Sequence, residues 1–226
     1  MSTKIFMRNA KALLANKWQS AALGTLLFLI MQAIGLCILA LLIGIIHIPI
    51  LYVANNSFSL FAVAVLCTII ISAILGPIQA GYIHFLNKLA YNGIYDYNLL
   101  WSGFKNFTQN FSLYLIWYTT CVFLCIIYNI LPKDPSFISV IILLIYYLLA
   151  YILLIRLSLM FFINEILENK NSVWEVIQFT LNITSKYDWK IICLNFRFLG
   201  WIILGSLSLG IGFIWITPYI CVAYNE

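Results

Sequence analysis

With 226 residues, of which 64% are hydrophobic and only 8% charged, the chain lies far from soluble domains, which run at roughly 45–50% apolar and about 25% charged. Its net charge of +5 comes from 12 Lys and Arg against 7 Asp and Glu. Such an excess fits either nucleic acid or cytoplasmic loops, and because the basic residues sit in segments between apolar runs their placement favours the loops.

Residues 1–18, "MSTKIFMRNAKALLANKW", predict a basic interfacial helix with Lys4, Arg8 and Lys11 on one face and Phe6, Ala10 and Leu13 on the other. The apolar run that follows, Ala21 to Ile46, is longer than the roughly 7–15 residues of a cleavable signal core and lacks a small-x-small cleavage site. It reads as an uncleaved first span.

A crossing needs about 20 apolar residues at about 1.5 Å each. By that measure spans fall near residues 20–46, 58–83, 111–131 and 136–163, and a last apolar stretch covers 191–224. As one helix those 34 residues would reach about 51 Å, too long for a core of about 30 Å. Gly205, Gly210 and Gly212, with Ser206 and Ser208 among them, favour a hairpin bent near Leu209 to Gly212, with arms 191–208 and 211–225. Pro218-Tyr219 then ends the last helix near the inner interface. The alternative is a single kinked helix. The fold class is therefore all-α: a polytopic transmembrane helical bundle of about six spans in three hairpins, with interfacial amphipathic helices, forming one integral membrane domain over 1–226.

Two further segments carry amphipathic spacing. In "DYNLLWSGFKNFTQNF", Leu100, Phe104, Phe107 and Phe111 recur on one helical face. In "SVWEVIQFTLNITS", Val173, Val176, Ile177, Leu181 and Thr184 do so, and Ser172 with Glu175 forms a capping box, which predicts a short interfacial helix. Each amphipathic segment precedes an odd-numbered span, so a thrice-used unit of interfacial helix plus hairpin competes with ordinary loop composition as the explanation. Lys4, Arg8, Lys11, Lys17, Lys88, Lys105, Lys170, Lys186, Lys190 and Arg197 alternate to one side against Lys133 on the other, which predicts a cytoplasmic N-terminus.

The stretch "FLGWIILGSLSLGIGFIWITPY" (198–219), with "SKYDWK" before it, "GFKNF" at 103–107 and "AKALLANKW" at 10–18, resembles the bacterial integral-membrane family known as domain of unknown function 975. The resemblance implies six spans and no particular chemistry. Two departures stand out: "LPKDPS" where members often carry Pro-Gly between the third and fourth spans, and an end at Glu226 where relatives continue.

Arg156 is the one clear charge within an expected span. It either contacts an anionic ligand or lipid, or snorkels to headgroups. Glu165 and Glu168 share a helical face and are expected to be solvated and paired with Lys170, since a carboxylate di-metal site of that spacing also needs histidines. His47 and His84 are expected at opposite membrane surfaces, without a serine or cysteine nucleophile and an orienting acid, and no G-x-x-x-x-G-K-[ST] occurs. Cys37, Cys67, Cys121, Cys125, Cys193 and Cys221 all lie in apolar stretches with no metal-ligand spacing. "NNS", "NFT", "NFS" and "NIT" match glycosylation sequons by chance, three of the four on the expected cytoplasmic side.

These features predict a non-enzymatic protein of the bacterial cytoplasmic membrane, with no catalytic residues, no metal and no cofactor. An accessory, interaction or membrane-protection role is expected. The alternative is a small lipid or solute transporter using Arg156 and the broken last segment. Its expected partners are the lipid bilayer and either another membrane protein or further copies of itself, not nucleic acid.

Overall fold

The structure is a computed structural model that describes residues 3–53, 57–131, 137–167 and 172–225. These residues form helices and turns with no strand among them: α1 (Thr3–Leu13), α2 (Trp18–Val53), α3 (Ser57–Asn87), a π turn (Lys88–Asn92), a 3-10 helix (Tyr97–Phe104), α4 (Phe107–Ile130), α5 (Phe137–Ser158), α6 (Met160–Ile166), α7 (Val173–Leu207) and α8 (Phe213–Asn225). Five stretches are long and apolar enough to cross a membrane: Trp18–Ile38, Val65–Asn92, Phe107–Asn129, Ile138–Ile166 and Trp189–Leu207. The thirteen residues of α8 extend only about 20 Å, short of a full crossing.

The N-terminal helix follows its pattern. Lys4, Arg8 and Lys11 are exposed while Ala10 is fully buried. Asn16, at φ 62°, turns the chain into α2 in the left-handed conformation that asparagine tolerates. The helix α2 then runs on to Val53, through residues 47–53 that the sequence assigned to a loop, because Ile50 to Val53 remain apolar and nothing but Pro49 opposes the ladder.

Packing is concentrated at the end of the bundle that holds α1. Ala10, Leu14, Tyr82, Phe85, Leu89, Met160, Val176, Phe198 and Val222 belong to one buried cluster there. Tyr82 donates or accepts a 2.8 Å hydrogen bond with the Thr25 hydroxyl and stacks on Phe28 at 4.1 Å. Half of the apolar window in Val65–Asn92 is buried, but only 11% in Phe107–Asn129 and 6% in Ile138–Ile166. The second span, in α3, is thus the hub, and α4 and α5 present exposed apolar side chains.

The segment 97–111 departs from the expected single amphipathic helix. Asp96 caps a 3-10 helix by accepting from the Asn98 amide at 2.9 Å, and α4 starts afresh at Phe107. Three residues per turn align Tyr97, Leu100 and Gly103, and Leu100 is buried while Phe104 and Phe107 are exposed. The reason is backbone contact with α3. A Cβ on Gly81 would lie 1.9 Å from the Leu100 carbonyl oxygen, and one on Gly103 would lie 1.9 Å from that of Pro77.

One other expectation is corrected. The capping box forms, with Glu175 N–H donating to Ser172 Oγ at 3.3 Å and Ser172 N–H to the Glu175 carboxylate at 3.2 Å, yet the helix it opens does not stop before the last span. No Gly or Pro interrupts 173–199, and Thr180 and Thr184 return their hydroxyls to carbonyls one turn back, so α7 is continuous to Leu207. The expected fourth span 136–163 corresponds to the stretch Ile138–Ile166, in which a single turn residue, Leu159, separates α5 from α6 while the i→i−4 bonds run on through it. Lys133, Asp134, Glu168 and Lys170 lie outside the described residues, as do the side chains of His47 and Asp188.

Candidate functional site

At the α1 end of the bundle, apolar packing gives way to a polar floor. His84, on the last turn of α3, approaches Glu165 on α6 with Nδ1 2.5 Å from Oε1, and both side chains are mostly buried. One turn further along α3, Asn87 Oδ1 accepts from Asn225 Nδ2 at 2.5 Å, which fastens the end of α8 to the hub. The other carboxamide atom of Asn225, its Oδ1, is buried without a donor among the described residues. Lys17 Nζ donates to the Ala90 carbonyl at 2.7 Å, and Tyr219 Oη donates to the Met7 carbonyl at 3.2 Å. Asn87, Lys88, Tyr91, Asn92, Glu165 and Asn225 enclose an open cavity of about 260 Å³, with Ile166 at its edge.

The π turn positions part of this rim. It ends on Gly93, at φ 68°, whose N–H closes onto the Leu89 carbonyl. The left-handed conformation there favours glycine. Beside the cavity, a second polar chain crosses three elements: Gln109 Nε2 donates to Asn164 Oδ1 at 2.6 Å, Asn164 Nδ2 to Asn110 Oδ1 at 3.2 Å, and Asn110 Nδ2 to the Gly103 carbonyl at 2.7 Å. Asn110 and Asn164 are almost fully buried, so these bonds secure α4, α6 and the 3-10 helix to one another.

The last two helices fold back on each other. Residues 208–212 form the turn, with Leu209 at φ 54° and Gly210 at φ 87°. Every backbone N–H through it has an acceptor inside the hairpin: Ser208 on Leu204, Leu209 on Ser206, Gly210 on Gly205, Ile211 on Ser208, Phe213 on Gly210, and Gly212 on the Ser208 hydroxyl oxygen at 2.8 Å. A Cβ on Gly205 would meet the Phe213 ring and Ile216, so that glycine sets how closely the arms pack. The tip is apolar, with Leu207, Leu209 and Ile211 among the most exposed side chains of the described chain.

The residues singled out by sequence are distributed unevenly about these features. Gly205, Gly210 and Gly212 are all in the hairpin. Pro218 does not end a helix: it is buried inside α8, which continues for seven further residues because proline withholds only its own N–H. Arg156 occupies the last turn of α5, half-buried and engaged within the chain, and lines neither the polar cavity nor an apolar groove of about 730 Å³ between α4 and α5. Glu165 is not a solvated carboxylate; its partner is His84, which thereby has an acid neighbour that the sequence did not supply. Among the described residues no three His, Cys, Asp or Glu side chains gather into a potential metal site, and the described cysteines form no disulfide.

Sequence reasoning missed the couplings His84–Glu165, Asn87–Asn225 and Asn110–Asn164. Their only linear signal is a carboxamide or ionisable residue inside or ending an apolar run, which flags the residue without naming its partner.

Among the described residues the fold is an all-helical bundle with five potential membrane-crossing helices. Within that class, residues 132–225 match the family described as "Protein of unknown function (DUF975)", so the resemblance to domain of unknown function 975 is shown over the part of the chain that carries α5 to α8. No curated protein and no solved structure matches the chain.

Proposed function

We propose that the chain is a non-enzymatic integral protein of the bacterial cytoplasmic membrane, with both α1 and the end of α8 on the cytoplasmic side, acting as an accessory or interaction partner that supports or protects the membrane. The observation that carries this is the contrast between covered and bare spans. Half of the hub's window is buried, whereas only 11% and 6% of the windows in α4 and α5 are, and Phe123, Ile126, Leu144 and Leu149 stand exposed on them, an apolar surface suited to lipid or to another membrane protein. Hydroxyl groups in the spans are answered locally: Ser72 bonds the Thr68 carbonyl and Thr120 that of Ile116. Few polar groups remain along the spans for a solute to meet.

The C-terminal hairpin is re-entrant in this reading. Tyr219 packs against Trp18 at the foot of α2, with ring centroids 6.2 Å apart, and only ten residues separate Tyr219 from Leu209. That path is at most about 15 Å as a helix, half of a hydrocarbon core of about 30 Å. A turn at such depth must satisfy its own backbone, and the acceptors given above do so. Transporters also use broken helices, but their unwound backbone is left available to substrate, whereas these N–H groups are consumed within the hairpin.

Tagged full-length chain purified from its native membrane should bring down a stable membrane-protein partner and should move no solute when reconstituted alone. Solute flux by the isolated chain would replace the accessory role with transport.

A further inference from the structure

We infer that the polar cavity at the α1 end is a binding site for the zwitterionic amino-phosphate headgroup of a phospholipid. This rests on the chain lying in a membrane and extends that reading to a specific ligand class.

The lining presents one charge of each sign. Lys88 carries three donors and makes no ion pair among the described residues. Glu165 spends one oxygen on His84, and a carboxylate has further lone pairs for an ammonium. A purely anionic headgroup would face Glu165 and a purely cationic ligand would face Lys88; a molecule with phosphate and ammonium a few bonds apart satisfies both. Asn87, Asn92 and Asn225 add carboxamides to the wall, and the undonated Oδ1 of Asn225 marks a floor that lacks a donor, which an ammonium would bring.

Position selects a lipid over a soluble zwitterion. Two spans, Val65–Asn92 and Ile138–Ile166, both end at this cavity, so it lies where headgroups lie. Its lining also includes the exposed side chains of Ile166 and Tyr91, a surface suited to the glycerol and acyl region of the same lipid. The π turn widens the helix end so that Lys88, Tyr91 and Asn92 share the rim, a use to which such turns are often put at functional sites.

Native mass spectrometry of the detergent-purified full chain tests this with three probes: phosphatidylethanolamine, phosphatidylglycerol and free O-phosphoethanolamine. Phosphatidylethanolamine should be retained about tenfold better than phosphatidylglycerol; Glu165→Gln should remove about that preference, whereas Lys88→Gln should lower retention of both lipids about tenfold, each the worth of one charge-assisted contact. The exposed-site variant Lys105→Gln should leave it unchanged. Equal retention of the two lipids, a preference that survives Glu165→Gln, or unchanged retention of both lipids in Lys88→Gln would overturn the site. Competition by free O-phosphoethanolamine at the lipid's own concentration would overturn the lipid assignment in favour of a soluble zwitterion. Carbonate extraction of the same membranes reports separately whether the chain is embedded, so a failed membrane reading is distinguishable from a failed lipid site.

Discussion

His84 Nδ1 and Glu165 Oε1 lie 2.5 Å apart and join the hub helix α3 to the short helix α6 across 81 residues of sequence. Both side chains are less than a third exposed, so the bond is only partly screened by solvent. Replacing either residue leaves the other without its partner. His84→Gln and Glu165→Gln should each lower stability by about 1 kcal/mol, and the double variant should lose less than the sum. Thermal unfolding of the four proteins in detergent measures the coupling; strict additivity would mean that the pair contributes nothing as a pair.

The contact between α3 and the 3-10 helix depends on two missing side chains. At Gly103 a Cβ would sit 1.9 Å from the Pro77 carbonyl oxygen, a backbone atom that cannot swing away. Gly103→Ala should therefore destabilise the bundle by about 1–3 kcal/mol or more, as overpacked sites do. Gly200 has nothing within 4 Å of its notional Cβ, so Gly200→Ala should be neutral or gain up to about 1 kcal/mol from helix propensity. Unfolding midpoints of the two variants should move in opposite directions or differ by several degrees.

Ser208 performs two tasks in the hairpin turn. Its hydroxyl donates to the Gly205 carbonyl at 2.7 Å and accepts from the Gly212 N–H at 2.8 Å. Ser208→Ala removes the Gly212 acceptor and, if the turn is re-entrant as proposed, no water replaces it there, so the change should cost about 1–3 kcal/mol. Ser206→Ala, which loses only a bond to the Ile202 carbonyl on its own helix, should stay within about 0.5 kcal/mol. Protease resistance of the C-terminal arm provides the readout, and equal effects of the two substitutions would contradict the role given to Ser208.

Much of the architecture is legible in the chain because the membrane imposes a length and a polarity on each helix. The amphipathic α1 follows from Lys4, Arg8 and Lys11, and the Ser172–Glu175 box from a local spacing. What periodicity cannot carry is the contact of distant backbones. The choice of a 3-10 helix over residues 97–104 is dictated by Gly81 and Pro77 on another helix, and Leu100 looks the same in either conformation until that neighbour is known. The same limit hid the polar floor: His84, Asn87, Glu165 and Asn225 are each unremarkable alone, and they acquire a role only when three helix ends converge. Continuity of α7 was missed for a different reason, since the polar residues Thr180 to Lys190 resemble a boundary but are good enough helix formers to carry the ladder through.

Cysteine accessibility at position 209 tests the re-entrant membrane architecture most directly. In a variant lacking the six native cysteines, Lys133→Cys should react with an impermeant thiol reagent from outside the cell, and reporters at both termini should register on the cytoplasmic side. Leu209→Cys should stay unreactive to that reagent from either face, because the proposed re-entrant fold puts its turn within the hydrocarbon core. Labelling of Leu209→Cys from outside, as readily as at position 133, would mean that the hairpin crosses completely and would contradict the re-entrant fold.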